Sequence, residues 1–347
     1  MKKDEKNCPS SRLGAVGGQA VLEGLMMRSK KRYTTAVRVV ETGKIVRDTH
    51  PVTTISDKHK WMKIPLVRGV VNMVETLILS FSTLTFSAEA QGLDEEPQTK
   101  FEKWLVRVFG EKLMAVAAGI GTVLGVVLAV VLFMWLPKAL ADLVFPTEFS
   151  RFLNALFQGI LRIGIFVGYI ALVSLMPDMR RTFEYHGAEH KTIFCYENQL
   201  PITVENVKAQ SRFHPRCGTS FFFVMMILGI LISVFLNFIP LPPEAAWSRL
   251  VYTLMKLVTL PVVVGVGYEI IRYSGRHDNA LVRALTAPGL WMQRLTTREP
   301  DASQIEVAIV ALKTALPDDF PEEDVFSGIA QPGKTPQETA GEAPADA

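Results

Sequence analysis

The fold is decided by the apolar stretch LMAVAAGIGTVLGVVLAVVLFMWL, residues 113–136, which runs for 24 residues without a charged side chain. Residues 220–243 form a second uncharged stretch of 24 residues. Each stretch is long enough to cross the roughly 30 Å hydrocarbon core of a bilayer as a helix. Neither has the polar face that a soluble helix of that length needs. The sequence therefore predicts a membrane protein.

Two less purely apolar segments complete the predicted transmembrane set. Residues 152–176 carry Arg162 near their middle, and residues 250–270 end close to Glu269. A charge in the middle of a span normally faces a partner or a cavity, and Glu75 is a candidate partner for Arg162. We expect a mainly α protein with about four transmembrane helices, at 113–136, 152–176, 220–240 and 250–270.

The distribution of Lys and Arg predicts the orientation of these helices. The loops 137–151 and 241–249 hold two and one of these residues, whereas the segment 177–219 holds six. All basic segments lie on one side if both chain termini are cytoplasmic. The segment 177–219 is then a cytoplasmic loop, and its cysteines are in reducing conditions. The net charge of +3 reflects this topology, and we expect no nucleic-acid partner.

The N-terminal part has a different pattern from the spans. Residues 13–65 are expected to form a small β-containing cytoplasmic domain, with strands at 33–40 and 45–49 around a Gly-containing turn. Residues 66–90 place apolar side chains at helical spacing with polar interruptions. A span there would break the charge rule, so we expect an amphipathic helix on the membrane surface or a re-entrant element packed against the bundle.

The remaining segments are assigned from their composition. Residues 271–316 are basic and are expected to form a cytoplasmic helical segment, which includes an amphipathic helix at 305–316. Residues 1–12 are polar, and we expect a flexible N-terminus. Residues 317–347 are acidic, rich in Pro, Gly and Ala, and predicted to be disordered.

Four side chains suited to binding a transition metal fall within 32 residues of a chain that has only six His and three Cys. They are His186, His190, His214 and Cys217. His186 and His190 are four residues apart, so a helix places them on one face. With Glu189 they form His-x-x-Glu-His, the inverted zincin pattern, in which the two His bind zinc and the Glu activates water. We therefore expect a divalent metal, with zinc first, and Glu189 as the catalytic residue.

The third metal ligand stays open at this point. A catalytic zinc usually has three protein ligands and one open position. The candidates, in order of preference, are Cys217, His214 and Glu269. A His pair at this spacing is also explained by hydrogen bonds to lipid headgroups or to backbone. Without a metal, Cys195 or Cys217 beside a histidine is a candidate thiol nucleophile.

Four blocks of sequence carry a resemblance to a known family. They are GGQAVLEGLMMR (residues 17–28), EYHGAEHK (184–191), HPRCGTS (214–220) and GYEIIRYS (267–274). Together they resemble the signature blocks of the DUF1385 (YqhQ-like) family, which contains bacterial membrane proteins of unknown function described as predicted metal-dependent enzymes. The resemblance spans about residues 13–316. It implies that the four His and Cys residues act as one unit, and that Glu23, Arg28 and Glu269 lie near the same site.

Two functions from different classes follow. The favoured one is a metal-dependent enzyme of the bacterial inner membrane, hydrolytic, which meets a lipid, a lipid-linked molecule or a peptide at the cytoplasmic surface. The alternative is a non-catalytic scaffold with a structural His/Cys site, whose basic face binds a protein partner or anionic lipid. Transport would need polar residues along several spans, and only Arg162, Glu75 and Gln158 are candidates.

Overall fold

The computed structural model of the chain describes residues 12–55, 59–92, 113–145, 151–236, 239, 246–274, 277 and 279–327. Most of these residues are helical, and a small antiparallel sheet lies near the N-terminus. The predicted fold class is therefore confirmed. Of the flexible ends predicted at 1–12 and 317–347, residues 1–11 and 328–347 lie outside the described residues.

The sheet has four antiparallel strands in the order β1-β2-β3-β4. The strands are β1 Gly17–Val21, β2 Gly24–Arg28, β3 Arg32–Arg38 and β4 Ile45–Pro51. The predicted hairpin between β3 and β4 is present, and Gly43 adopts φ +67° in its turn. The glycine-rich stretch before it pairs as the hairpin β1–β2. Gly24 is required there because a Cβ atom would lie 2.2 Å from the carbonyl oxygen of Ala36.

The rest of the described chain is largely helical. Its helices are α1 Val67–Ala90, α2 Leu113–Val130, α3 Leu136–Val144, α4 Arg151–Val173, α5 Pro177–Glu197, α6 Val204–Lys208, α7 Gly218–Leu236, α8 Ala246–Ser274, α9 Ala280–Thr296 and α10 Ala302–Ala315. A π-helical turn at Val131–Trp135 joins α2 to α3. The first predicted span, 113–136, therefore belongs to a helix that continues to Val144.

Four of the described helices are long and apolar enough to cross a membrane. They are Val67–Ala90, Gly119–Val144, Phe152–Val173 and Leu254–Ser274, and Phe221–Leu236 is a shorter apolar helix. The number matches the prediction, but the membership differs. α1 meets the criteria of length and composition, whereas the described apolar part of α7 is shorter than the predicted span 220–240.

Arg162 finds a partner inside the helical bundle. Its Nε donates to the carbonyl oxygen of Phe133 at 3.2 Å, and its NH2 lies 3.4 Å from Oε1 of Gln158. Phe133 belongs to the π-helical turn, where the regular hydrogen-bond ladder of a helix is interrupted. The partner expected from the sequence, Glu75, lies instead 3.9 Å from Arg28. These contacts give Arg162 a structural role.

α1 has two different faces. One face packs on the sheet. On this face the Ser80 hydroxyl donates to Gln19, and the Ser87 hydroxyl donates to the carbonyl oxygen of Leu22. Its first turn packs on α8, where a Cβ at Gly69 would lie 2.8 Å from Cβ of Tyr268. The opposite face exposes Val74, Leu77, Ile78, Phe81 and Leu84. The helix is thus amphipathic, with an apolar face that the described residues leave uncovered.

α10 lies in the core between the sheet and α5, where it packs against α5, β2 and β3. Ile305 and Leu312 are fully buried, and Ile309 is 2% exposed. Its buried polar groups are satisfied, because Gln304 completes a capping box with Asp301 and Lys313 donates to the carbonyl oxygen of Asp324. The amphipathic helix expected at 305–316 is therefore buried on all sides.

Residues 317–327 also differ from the sequence prediction, which places them in a disordered tail. Val325 is 1% exposed, Tyr196 donates to Asp319, and Arg47 forms an ion pair with Glu322. A few well-placed contacts hold this segment against the core, although its composition has little to bury.

We predict that Gly187→Ala in α5 destabilises the protein by about 1–3 kcal/mol, the usual cost of overpacking a close contact. The reason is that a Cβ at Gly187 would lie 2.0 Å from the carbonyl oxygen of Arg298. The change in stability is measured by heating the protein in detergent and following the loss of monodisperse protein. Gly164→Ala in α4 is the matched control, since nothing lies within 4 Å of its Cβ position. Equal stability of the two variants would contradict the close approach.

Candidate functional site

The site is built on α5, which places His186 and His190 one turn apart on the same face. Their ring centroids are 4.4 Å apart. His190 is 1% exposed, and His186 is half-buried. Gly187 lets the segment around Arg298 approach this helix closely, so the chain following α9 closes one side of the site.

Cys217 joins the two histidines from the loop that precedes α7. Each of these three residues offers one ligand atom, and the three atoms lie within 4.8 Å of one another. The Nε2 atom of His186 is 3.2 Å from Sγ of Cys217. This group could hold a metal ion. Within the described ranges, no fourth His, Cys, Asp or Glu belongs to the group. Of the three candidates for the third ligand, the structure places Cys217 in the group.

Backbone carbonyls orient both imidazoles. Nδ1 of His186 lies 2.8 Å from the carbonyl oxygen of Thr296, and Nδ1 of His190 lies 2.6 Å from that of Arg212. A carbonyl oxygen only accepts, so both Nδ1 atoms carry hydrogen, and in the neutral form of each imidazole Nε2 then keeps a lone pair. Nε2 of His190 is buried without a hydrogen-bond partner. Metal-binding histidines are commonly held in this way, so the residues fit a metal.

The protonation of the group also suits a metal. Burial lowers the pKa of His190, which favours the neutral imidazole. Burial raises the pKa of Cys217, but the neighbouring His190 and the hydrogen bond from Thr219 lower it by more, so the net pKa of the thiol is lowered. Neutral imidazole and thiolate are the forms that bind metal ions.

Glu189 is buried beside this group, under strand β1. It is 5% exposed, and its Oε2 has no hydrogen-bond partner. Burial raises its pKa to about 8, although the charge of His186 and a hydrogen bond from the backbone N–H of Gly18 lower it. A Cβ at Gly18 would lie 2.8 Å from Cδ of Glu189. Strand β1 therefore needs glycine where it covers the carboxyl group.

His214 lies beside the group and is anchored elsewhere. Its ring centroid is 5.6 Å from that of His190, and its Nε2 is 3.4 Å from Oε2 of Glu197. Its backbone N–H donates to Oε1 of Gln293 at 2.7 Å, and Nε2 of Gln293 donates back to its carbonyl oxygen at 2.8 Å. His214 therefore fixes the loop that carries Cys217.

Glu197 is the buried centre of this loop anchor, whereas the sequence favours an ordinary surface position for it. It accepts hydrogen bonds from Arg216 and from the backbone N–H of Gly14, the latter at 2.9 Å. Burial raises its pKa, but the hydrogen bonds from His214 and Gly14 and the charge of Arg216 outweigh this, and its net pKa is lowered. No spacing in the sequence signals it. For Gly18, the Gly17-Gly18 doublet is the feature of the sequence that indicates a special position.

The other residues implied by the resemblance are dispersed. The carboxylate of Glu269 is bound by Arg68, with Nε to Oε1 at 2.6 Å. Glu23 is bound in a fork by Arg181, at 2.5 Å for both contacts. Arg28 alone of these three lines the cavity at the site. Glu269 is thus absent from the ligand group and serves an ion pair between α1 and α8.

Cys195 is separate from the histidines. Its Sγ donates to the carbonyl oxygen of Pro201 at 3.5 Å. Burial raises the pKa of its thiol to about 11. These observations disfavour Cys195 as a nucleophile.

A cavity of about 630 Å³ opens beside the ligand group, between the sheet and the helices. Its walls include Glu189, His190 and Cys217 from the site. The rest of the lining includes Gly17 and Gly18 of β1, Arg28, Lys30, Asn72 of α1, His214, Arg216 and Tyr268 of α8. The ligand group therefore has one side on which a small molecule can approach.

The chain was compared with known proteins. The family model described as "Protein of unknown function (DUF1385)" matches residues 64–318. The chain is 35% identical to the uncharacterized protein YqhQ of Bacillus subtilis (strain 168) over 307 residues, which cover 87% of this chain and 92% of that protein. No solved structure gives a significant match.

We predict that Glu197→Gln destabilises the protein by about 2–3 kcal/mol at pH 7, because the buried His214 and the half-buried Arg216 lose a charged acceptor. The pKa of Glu197 is lowered in the folded state, so its contribution is present above its unfolded pKa and is lost as pH falls through the folded pKa. The difference between wild type and variant should therefore shrink from pH 7 to pH 3 in thermal unfolding. Glu205→Gln, at an exposed position of α6, is the matched control. A difference that does not change with pH would contradict this role.

Proposed function

The chain belongs to the DUF1385 family of proteins of unknown function, and we propose that it is a metal-dependent hydrolase of the bacterial inner membrane. In this proposal His186, His190 and Cys217 hold the metal at the cytoplasmic surface, and Glu189 transfers protons. One observation carries the proposal. Three ligand atoms converge within 4.8 Å beside an unpartnered buried carboxylate oxygen and an open cavity.

The donor set favours zinc. Two imidazole nitrogens and one thiolate are the ligands that zinc prefers, whereas magnesium and calcium prefer oxygen. Three protein ligands with an open position are typical of catalytic zinc, and four are typical of structural zinc. A zinc ion bound here supplies a Lewis acid and a water of lowered pKa.

Glu189 suits the proton transfer of a hydrolysis. Glu189 lines the cavity, and its Oε2 is buried without a hydrogen-bond partner. In its ionised form Glu189 can take a proton from an attacking water at Oε2, and the carboxyl can then return that proton to the leaving group. The Gly18 N–H holds the carboxyl in place, and the sheet above it limits the access of bulk water.

We infer that four helices cross the membrane and that α1 does not. Strand β1 packs against α5, and Gly18 lies against Glu189, so the sheet and α5 share one side. Between them the chain passes through α1, the continuous α2–α3 helix and α4. Because the sheet and α5 lie on the same side, the chain crosses the membrane an even number of times between them. If the α2–α3 helix and α4 both cross, α1 does not cross and stays on the surface. The hydrogen bonds between α1 and the sheet support this topology, which puts both termini in the cytoplasm.

A structural metal site is the second candidate function. The ligands join α5 to the loop before α7, and the carbonyls of Thr296 and Arg212 tie them to two further segments. A metal there would hold the membrane and non-membrane parts together without catalysis. The uncovered cavity and the position of Glu189 favour the enzyme.

We predict that the purified protein contains about one equivalent of zinc, and that His190→Ala and Cys217→Ser lose it, since each removes one of three ligands. Elemental analysis measures the content. Cys195→Ser is the matched control and should keep the metal, because Cys195 faces Pro201. Wild-type protein without stoichiometric metal would contradict both the catalytic and the structural function.

Glu189→Gln separates these two functions. We expect it to keep the metal and to lose metal-dependent hydrolysis of model esters by a factor of about 10² or more, since general base catalysis is usually worth that much. Hydrolysis by wild type and variant is measured at equal metal content. If wild-type hydrolysis is equalled by the variant, Glu189 is not the proton carrier.

We also predict that both ends of α1 face the cytoplasm. Lys63→Cys and Glu89→Cys, which flank the apolar part of α1, should react with a membrane-impermeant maleimide only in inside-out vesicles, in a Cys8→Ser background. Leu143→Cys at the far end of α3 is the control and should react only in right-side-out vesicles. Labelling of Lys63→Cys and Glu89→Cys from opposite sides would show that α1 crosses the membrane.

A further inference from the structure

The cavity at the site has a cationic lining. Arg28 at the end of β2, the exposed Lys30 and Arg216 from the loop before α7 all line it, while Glu189 is the one carboxylic acid among its lining residues. Arg28 is 3.9 Å from Glu75, which is too long for a hydrogen bond. That ion pair therefore does not use up the donors of the Arg28 guanidinium.

Unsatisfied polar atoms are concentrated at this cavity. Among the described residues, five buried side-chain atoms have no hydrogen-bond partner, and three of them belong to cavity-lining residues. These three are Oε2 of Glu189, Nε2 of His190 and Nε of Arg216. Because unpaired buried polar atoms are costly, their convergence on one cavity indicates a polar ligand there.

The charges point to a phosphate ester. Guanidinium groups bind phosphate and carboxylate oxygens in a fork. Arg28 and Arg216 come from different walls, the sheet and the loop; NH2 of Arg216 is bound by Glu197, and its unpartnered donor is Nε. A tetrahedral phosphate has enough terminal oxygens to meet both walls and the ligand group together, whereas a carboxylate has two. A volume of about 630 Å³ also leaves room for the group that the phosphate esterifies.

The cavity lies at the ends of apolar helices. Asn72 belongs to α1, Tyr268 lies in the last turns of α8, and Gly218 is the first residue of α7. α1 and α8 are both apolar enough to be in contact with a membrane. A headgroup can therefore reach the cavity while its acyl chains stay among these helices.

We propose that this cavity binds the phosphate-bearing headgroup of a membrane amphiphile, which would be the substrate class of the hydrolase. The hydrolysis of this ligand rests on the proposed function, whereas the binding of the headgroup does not. In the reaction, water gives its hydroxyl to phosphorus, the ester P–O bond breaks, and the leaving oxygen takes the proton. No oxidant or reductant is needed.

The test measures binding to the full-length protein in detergent by isothermal titration calorimetry, both as purified and after chelation of metal. The probes are dihexanoyl phosphatidic acid, glycerol 3-phosphate, inorganic phosphate and hexanoate. We expect the phosphatidic acid to bind most tightly, glycerol 3-phosphate more weakly, and hexanoate not at all.

Arg28→Gln should weaken the binding of phosphatidic acid about tenfold, the usual effect of one lost charge-assisted contact. Lys30→Gln should weaken it about threefold. Lys30 is exposed, so this variant tests the cavity even if Arg28→Gln fails to fold. Arg32→Gln is the matched control, since Arg32 lies on the neighbouring strand and outside the lining.

Three outcomes overturn the proposal, and a fourth separates it from the proposed hydrolase. If free phosphate and phosphatidic acid bind equally, the ligand is a soluble phosphate and no amphiphile. If hexanoate binds as well as the phosphates, the site selects carboxylates. If the protein holds stoichiometric metal but binds no phosphate probe, the headgroup site is absent and the metal site stands. If chelated protein still binds with dependence on Arg28 while no hydrolysis is found, the headgroup site stands and the proposed hydrolase fails.

Discussion

The packing of strand β1 against α5, where Gly18 covers Glu189, is the contact on which the rest of the structure depends. It places the N-terminal sheet directly against the histidine helix. It buries a carboxylic acid that would be hydrated on an uncovered helix, and burial raises the pKa of that acid to about 8. The same contact closes the cavity on one wall. A side chain at position 18 would push the sheet away from the site.

The ligand group is held by segments that are distant in sequence. The carbonyl of Thr296 orients His186, the carbonyl of Arg212 orients His190, and Glu197 holds the loop that carries Cys217. Helix α10 then packs on α5 and the sheet together. The burial of α10 thus fixes the position of α5, so the C-terminal part of the protein supports a site to which it gives no ligand.

Sequence reasoning reached the site where spacing carries the chemistry. His186 and His190 have to share a helical face, and Cys217 stands first in the order of preference for the third ligand. The sequence favours a surface position for Glu197, because its partners His214, Arg216 and Gly14 come together only by folding. It also underestimated α10 and residues 317–327, since moderate apolar content in a short segment does not tell whether the rest of the protein covers it. The order of preference placed His214 and Glu269 behind Cys217, and the structure gives them separate partners.

We propose that a metal is held by two imidazoles and one thiolate with an open position. X-ray absorption spectroscopy at the zinc edge of the purified protein tests it most directly. The account predicts two nitrogen scatterers at about 2.0–2.1 Å, one sulfur at about 2.3 Å and a further light atom, with the sulfur lost in Cys217→Ser. A spectrum without sulfur, or one that is unchanged in Cys217→Ser, would contradict it.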